Sequence, residues 1–160
     1  MNVPERSESI NIRKAQVNDV EFVCELLFGL KSMYASCPET SLAAFSKHYM
    51  AAVEQALKSP TNSIWVAQTP SGEIVGFISM TRRLVLRLAG EVGVLEEIFV
   101  RQDYRRRGVG YKLWQYAIEE LRKQRIKTVE VVSSLAHPGQ RQFVQKIGLE
   151  WYSNIHRVQI

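Results

Sequence analysis

At 160 residues the chain suits one domain with a full core and leaves little room for two. Its 46% hydrophobic and 23% charged residues are those of an ordinary globular protein, and its longest apolar runs are broken by charge well short of a membrane span. The net charge of +5 points either to a polyanionic partner (nucleic acid, an acidic lipid surface or a charged cofactor) or only to a basic solvated surface. Met1–Ile10 is polar with both charge signs, which suits neither a signal nor a transit peptide. Cys24 and Cys37 make no metal or redox spacing; a buried thiol and a loop thiol in a reducing cytoplasm are expected.

In chain order, Ser9–Ala15 alternates weakly and suits a first strand. Asp19 can cap a helix in which Val20, Val23, Leu26, Leu27, Leu30 and Met33 recur at helical spacing. Pro38 breaks that helix. Ser41 opens a second, with Leu42, Phe45, Tyr49, Ala52 and Leu57 on one stripe, and Ser59-Pro60 ends it. The period then changes. Ser63–Gln68, the turn Pro70-Ser71-Gly72, Ile74–Met80, a reversal at Gly90 and Val92–Val100 predict an antiparallel meander. Tyr111–Lys123 reads as a helix with Leu113, Trp114, Ala117, Ile118 and Leu121 toward the core. Lys127–Ser133 is a strand, Pro138–Lys146 a short helix ended by Gly148, and Leu149–Tyr152 and His156–Ile160 are terminal strands. The order β, α, α, β, β, β, α, β, α, β, β predicts an α/β fold over residues 1–160. It is a mixed, mostly antiparallel sheet of six to seven strands with about four helices packed on it.

The densest signal lies between Val94 and Gly110. An apolar strand, a polar turn and the run Arg105-Arg106-Arg107 lead to Gly108-Val109-Gly110 and the helix. Glycines let a backbone approach a ligand, and the following helix directs its unbonded N–H groups and positive dipole end at it, so the ligand should carry phosphate. A P-loop is excluded by the missing Gly-Lys-Ser/Thr. A dinucleotide turn is excluded because Leu113 stands where its third glycine would be, and seven residues separate Val100 from Gly108. Glu130, twenty residues beyond Gly110, is a coincidental match to a ribose-binding acid.

The form Arg-x-x-Gly-x-Gly at Arg105–Gly110, opening a helix after a strand and turn, resembles the acyl-CoA signature of the GNAT superfamily of acetyl-CoA-dependent N-acetyltransferases. The stretch Gly139–Leu149, ending Phe-Val-Gln-Lys-Ile-Gly-Leu, resembles that family's next helix. The resemblance implies that backbone N–H groups of Arg107, Gly108, Val109, Gly110 and Tyr111 hold a pyrophosphate, at roughly 1.5–3 kcal/mol per charge-assisted bond. Arg105 would hold the turn or a phosphate; Arg106 reaches either a phosphate or solvent. Along Ile98, Phe99 and Val100, the backbone groups of Ile98 and Val100 would pair with the pantetheine amides like an added strand. His137 stands where many members have a pantetheine-binding Asn, or simply starts the helix before Pro138. Val144 stands where many have a Tyr that protonates the thiolate; valine cannot, which leaves Tyr152, His137 or water.

Acyl transfer to an amine also needs a base for the ammonium proton. Glu96 and Glu97 are candidates on the strand leading to the cofactor. Strand alternation allows only one of them to face a given cavity, and resemblance to polyamine-type members favours Glu96. Either could instead pair with Arg82, Arg83 or Arg87. Acids at Glu73, Glu91, Glu96 and Glu97 favour a cationic amine over a free amino acid. His48 and His156 have no partner pattern, and Trp65, Trp114 and Trp151 suit the core.

The expected activity is therefore transfer of acetyl from acetyl-CoA to a primary amine by direct attack in a ternary complex, with no metal. A small-molecule amine is the expected acceptor. A protein lysine or N-terminus, or a catalytically silent binding or regulatory module on the same fold, remains the alternative. Neither a membrane nor nucleic acid is the expected partner; a homodimer is an assembly the resemblance allows.

Overall fold

A computed structural model of the chain describes residues 9–33, 42–131 and 138–149. The elements are β1 (Asn11–Lys14), α1 (Val20–Lys31), α2 (Leu42–Lys58), β2 (Asn62–Gln68), β3 (Ile74–Val85), β4 (Gly90–Val100), α3 (Val109–Lys123), β5 (Val129–Val131) and α4 (Pro138–Lys146). One sheet runs in the order β1-β2-β3-β4-β5, antiparallel up to β4 and parallel between β4 and β5. Five strands thus stand among the described residues where six to seven were expected. The expected terminal strands fall outside those residues except at Leu149, which is not in a strand; the strand expected at Lys127–Ser133 begins at Val129 and is described to Val131, its last two residues lying outside the described ones. No helix among the described residues is long and apolar enough to cross a membrane.

Alternation along β2 sends Ile64 and Val66 to one face of the sheet and Trp65 and Ala67 to the other. The first face is covered by α1 and α2 through Val23, Leu26 and Val53. The second is covered by α3 through Leu113, Trp114, Ala117 and Leu121, with Phe143 of α4 at its margin. Each such side chain stabilises the fold by about 1.5–3 kcal/mol when fully buried. The stripe expected for α3 holds, with Ile118 only half-buried. On α2 the expected Tyr49 and Leu57 pack against the core, Val53 is the fully buried position, and Ala52 is exposed; the side chains of Leu42 and Phe45 lie outside the described residues. Cys24 is buried in the first face, as expected of one thiol, and Trp65 and Trp114 are core residues.

Asp19 precedes α1 but does not cap it with its side chain. Its carboxylate instead accepts from the Gln16 N–H at 2.7 Å and from both terminal nitrogens of Arg13 at 2.7 and 2.8 Å. It is only 3% exposed, so the charge is compensated where it is buried. This clip ties β1 to the start of α1.

Glu96 has no partner in the β3–β4 ladder. Glu97 lies opposite Ser79 and Leu95 opposite Met80, so β4 carries one extra residue. Such a bulge bends the strand and breaks the alternation of side chains.

Candidate active site

A short turn at Gln102–Tyr104 carries the chain from β4 to the glycine turn. Arg105 is extended, with φ −71° and ψ 158°. Arg106 and Gly108 are left-handed, at φ 59° and 81°. The residue at 108 is glycine because only glycine takes that conformation without strain. It also ends the turn with nothing above it: a Cβ there would meet no atom within 4 Å. α3 then starts at Val109 rather than the expected Tyr111, and the Lys112 N–H bonds the Gly108 carbonyl at 3.0 Å. The N–H groups before Lys112 have no partner within the helix. No side chain caps α3, and no acidic residue lies in its first turn. An uncapped, positive helix end behind an open glycine suits an anion.

Of the two roles expected for Arg105, the side chain performs the first. Its Nε donates to the Val100 carbonyl at 2.7 Å, and its guanidinium lies 5.1 Å from the Phe99 ring centre and 3.6 Å from Met33 Sδ. Phe99 in turn packs under Gly29 of α1, where a Cβ would come within 2.9 Å of the ring. Arg105 therefore clips the turn to β4 and to the end of α1. Arg106, Arg107 and Lys112 are exposed near the helix end. Arg107 also lies 5.4 Å from the Tyr104 ring centre. Arg101 is committed elsewhere, paired with Asp103 at 2.7 Å and with Glu73.

Among the described residues, pairing of β4 with β5 is seen from Gly93–Val129 to Leu95–Val131, and β4 continues to Val100. The Arg101 N–H bonds the Val75 carbonyl of β3, so by ladder alternation the Ile98 and Val100 backbone groups point to the opposite edge. No described strand covers that edge beside residues 96–100. Because Arg105 already holds the Val100 carbonyl, the Ile98 groups and the Val100 N–H are the ones left for an added strand. The Phe99 side chain, by contrast, is buried on the α1–α2 face.

On that same face lies a cavity of about 540 Å³ between α1, α2 and strands β2 to β4. Both Glu96 and Glu97 line it. Alternation alone had allowed only one; the bulge at Glu96 puts both on one side. Glu96 is exposed at the cavity. Glu97 is half-buried and accepts a hydrogen bond from the Ser79 hydroxyl. Burial pushes its carboxyl above the ordinary value of 4.5; the Ser79 hydroxyl opposes this and the neighbouring Glu96 charge adds to it. Lys31 also lines the cavity and donates to the Tyr49 hydroxyl.

The arginines considered as partners for these acids are bound elsewhere: Arg82 to Glu91 at 3.3 Å, and Arg83 and Arg87 to Glu130 of β5. Glu130 is thus an ion-pair residue on β5. Glu73 and Glu91 do not line the cavity, so the acidic character there comes from Glu96 and Glu97 alone among the described lining residues. Val144, half-buried on α4, has no proton to give. His137 and Tyr152, with Cys37, Trp151, His156 and the His48 side chain, lie outside the described residues. Sequence reasoning missed Ser79, Lys31 and Tyr49. Ser79 had a signal, as the one hydroxyl within the apolar run Ile74–Met80.

The profile of the acetyltransferase (GNAT) family matches residues 29–149. An uncharacterized N-acetyltransferase of Methanocaldococcus jannaschii is 32% identical over 81 residues, which make up 50% of this chain and 36% of that protein, so the match spans little more than a third of the relative's length. Among solved structures, a possible acetyltransferase from Clostridium difficile 630 superimposes with TM-score 0.77 at 17% identity, covering 94% of this chain and 97% of the other. An aminoglycoside N-acetyltransferase solved with CoA gives 0.78 at 20% identity, with 99% of each chain covered. A ribosomal-protein-alanine N-acetyltransferase from Brucella melitensis biovar Abortus 2308 gives 0.72 at 15%, covering 94% and 100%. At these identities the likeness establishes the fold.

Proposed function

Because the chain belongs to the acetyltransferase (GNAT) family, we propose that it moves an acetyl group from acetyl-CoA to a primary amine by direct attack in a ternary complex. The observation that carries this reading is the sharing of one strand by two sites. β4 leads into the glycine turn, and its bulge sets Glu96 and Glu97 on the adjoining cavity.

The pyrophosphate of CoA suits the N–H groups from Arg107 to Tyr111, with Arg106 and Arg107 close enough in sequence to add charge. The pantetheine amides suit the backbone groups of Ile98 and Val100, which face away from β3 and meet no described strand. Acetyl-CoA brings a thioester whose carbonyl carbon an amine nitrogen can attack. An amine arrives as an ammonium and must first lose a proton. Glu97, raised by burial toward the working pH, is better matched to that task than a surface carboxylate. Glu96, exposed beside it, suits the charge of the incoming ammonium. The new C–N bond replaces the C–S bond; the amide nitrogen sheds its second proton and the departing sulfur gains one. Val144 supplies none, so water, His137 or Tyr152 remains for the sulfur.

The test is a calorimetric titration with CoA. The wild type should bind. Gly110→Asp places a carboxylate in the first turn of α3 with ordinary contacts to Val100 and Phe143, at 3.7 Å from its Cβ. A carboxylate at a helix N-terminus does not harm the helix, but it repels a pyrophosphate, and roughly a 100-fold loss of affinity is expected. Unchanged affinity in a folded variant, or no binding by the wild type, contradicts the proposal.

A further inference from the structure

The cavity beside Glu96 and Glu97 has two chemically different walls. Toward the helices it is mostly hydrocarbon, with Val23, Leu27 and Leu30 of α1, Val53 and Ala56 of α2, and Phe77 below them; Lys31 and Tyr49 are the polar side chains on that side, and Asn62 and Ser63 line it from β2. Along β3 and β4 it is polar, with Ser79, Thr81, Glu96 and Glu97. The described cation in the lining is Lys31, which donates to Tyr49. The arginines of the β3–β4 hairpin are held by Glu91 and Glu130.

We infer that the acceptor is a primary amine carried on an apolar body, an alkylamine or an arylalkylamine, with its nitrogen at the two carboxylates and its hydrocarbon against α1 and α2. This rests on the acetyl-transfer reading and narrows it. A cation is favoured where two carboxylates face one side of a cavity, and a carboxylate on the acceptor is repelled there. An acceptor with many hydroxyls or several ammonium groups would set some of them against Leu27, Leu30 and Val53, which cannot hydrogen-bond, and a second ammonium would also meet the Lys31 charge; a polar group desolvated without a partner is disfavoured. A hydrocarbon body instead displaces water from that wall. The gain is roughly two- to fourfold in kcat/KM per methylene until the space is filled.

The experiment measures thiol release from saturating acetyl-CoA by the full chain. The acceptors are n-alkylamines from propyl to octyl, 2-phenylethylamine, spermidine, kanamycin, free lysine and a lysine-containing peptide. The expected result is a rise of kcat/KM along the alkyl series, with octylamine and 2-phenylethylamine above every polar acceptor. Ala52, exposed at the rim on α2, gives the companion variant. Ala52→Trp should reduce the octylamine-to-propylamine ratio at least tenfold while CoA affinity is retained. A flat alkyl series, or preference for spermidine, kanamycin, lysine or the peptide, overturns the inference and leaves acetyl transfer standing. Thiol release from none of the amines, with CoA bound, overturns the acetyl-transfer reading itself.

Discussion

Ser79 donates its hydroxyl hydrogen bond to Glu97 directly across the β3–β4 ladder, at the step where Glu96 is left without a partner. The bulge and the bond together hold one carboxylate in the cavity wall and leave its neighbour at the surface of the same cavity. Two adjacent acids thereby acquire different environments, which is how one strand can supply both a base and a charge-binding group.

Glu97→Gln should lower kcat roughly 10²- to 10⁴-fold while CoA affinity is kept. Glu96→Gln should instead raise the amine KM, with a smaller effect on kcat. Steady-state kinetics on both variants checks this. The reverse pattern assigns the base to Glu96, the residue that the family resemblance favours.

The raised carboxyl of Glu97 has opposite consequences for activity and stability. Activity needs the deprotonated form, so the acid limb of kcat/KM should lie above pH 4.5, and Ser79→Ala should move it higher. In the folded protein Glu97 binds its proton more tightly than in the unfolded chain. Stability therefore falls as pH rises from 4.5 through the folded pKa, and Glu97 costs stability at neutral pH. Glu97→Gln should raise Tm at pH 7 and lose that advantage below the ordinary value. A Tm difference independent of pH contradicts the assignment.

Arg105 binds protein, whereas Arg106 and Arg107 face solvent at the turn. Arg105→Gln should destabilise the fold by about 1.5–3 kcal/mol through loss of its charged bond to Val100. It should weaken CoA binding without changing the salt dependence of that binding. Arg106→Gln and Arg107→Gln should leave stability nearly unchanged and flatten the salt dependence. Titrations at two ionic strengths distinguish the groups.

Among the ion pairs of the described residues, Arg13–Asp19 should matter most for stability, because its acid is buried. Asp19→Asn should cost about 2 kcal/mol, below the value for a fully buried pair because Arg13 remains partly exposed. The Arg13 bond holds the Asp19 carboxyl below its ordinary 3.8, so this contribution is present above that value and lost as pH falls through the folded pKa. Urea unfolding of wild type and variant across that range checks both statements.

The glycine turn was legible in the sequence because its geometry is local: Gly108 sits where φ must be positive, and the helix behind it follows directly. The core-facing stripe of α3, with Leu113, Trp114, Ala117 and Leu121, was legible because period alone sets it. What was hidden depends on distant pairing. The bulge at Glu96 exists only against Ser79 and Met80, and it alone reverses the rule that adjacent strand residues part company. The ion partner of Arg83, Glu130, is 47 residues away. Asp19 had the composition of a helix cap, but the guanidinium of Arg13 from β1 claimed its carboxylate.

The central claim is that the two sites joined by β4 act on one acetyl group. The most direct measurement incubates the protein with acetyl-CoA and octylamine and follows free thiol and the mass of the amine together. Thiol and N-acetylated amine should appear one for one, both falling with Glu97→Gln and with Gly110→Asp. Thiol release that does not need the amine, or no acetylated amine from any primary amine while CoA binds at the turn, would contradict it.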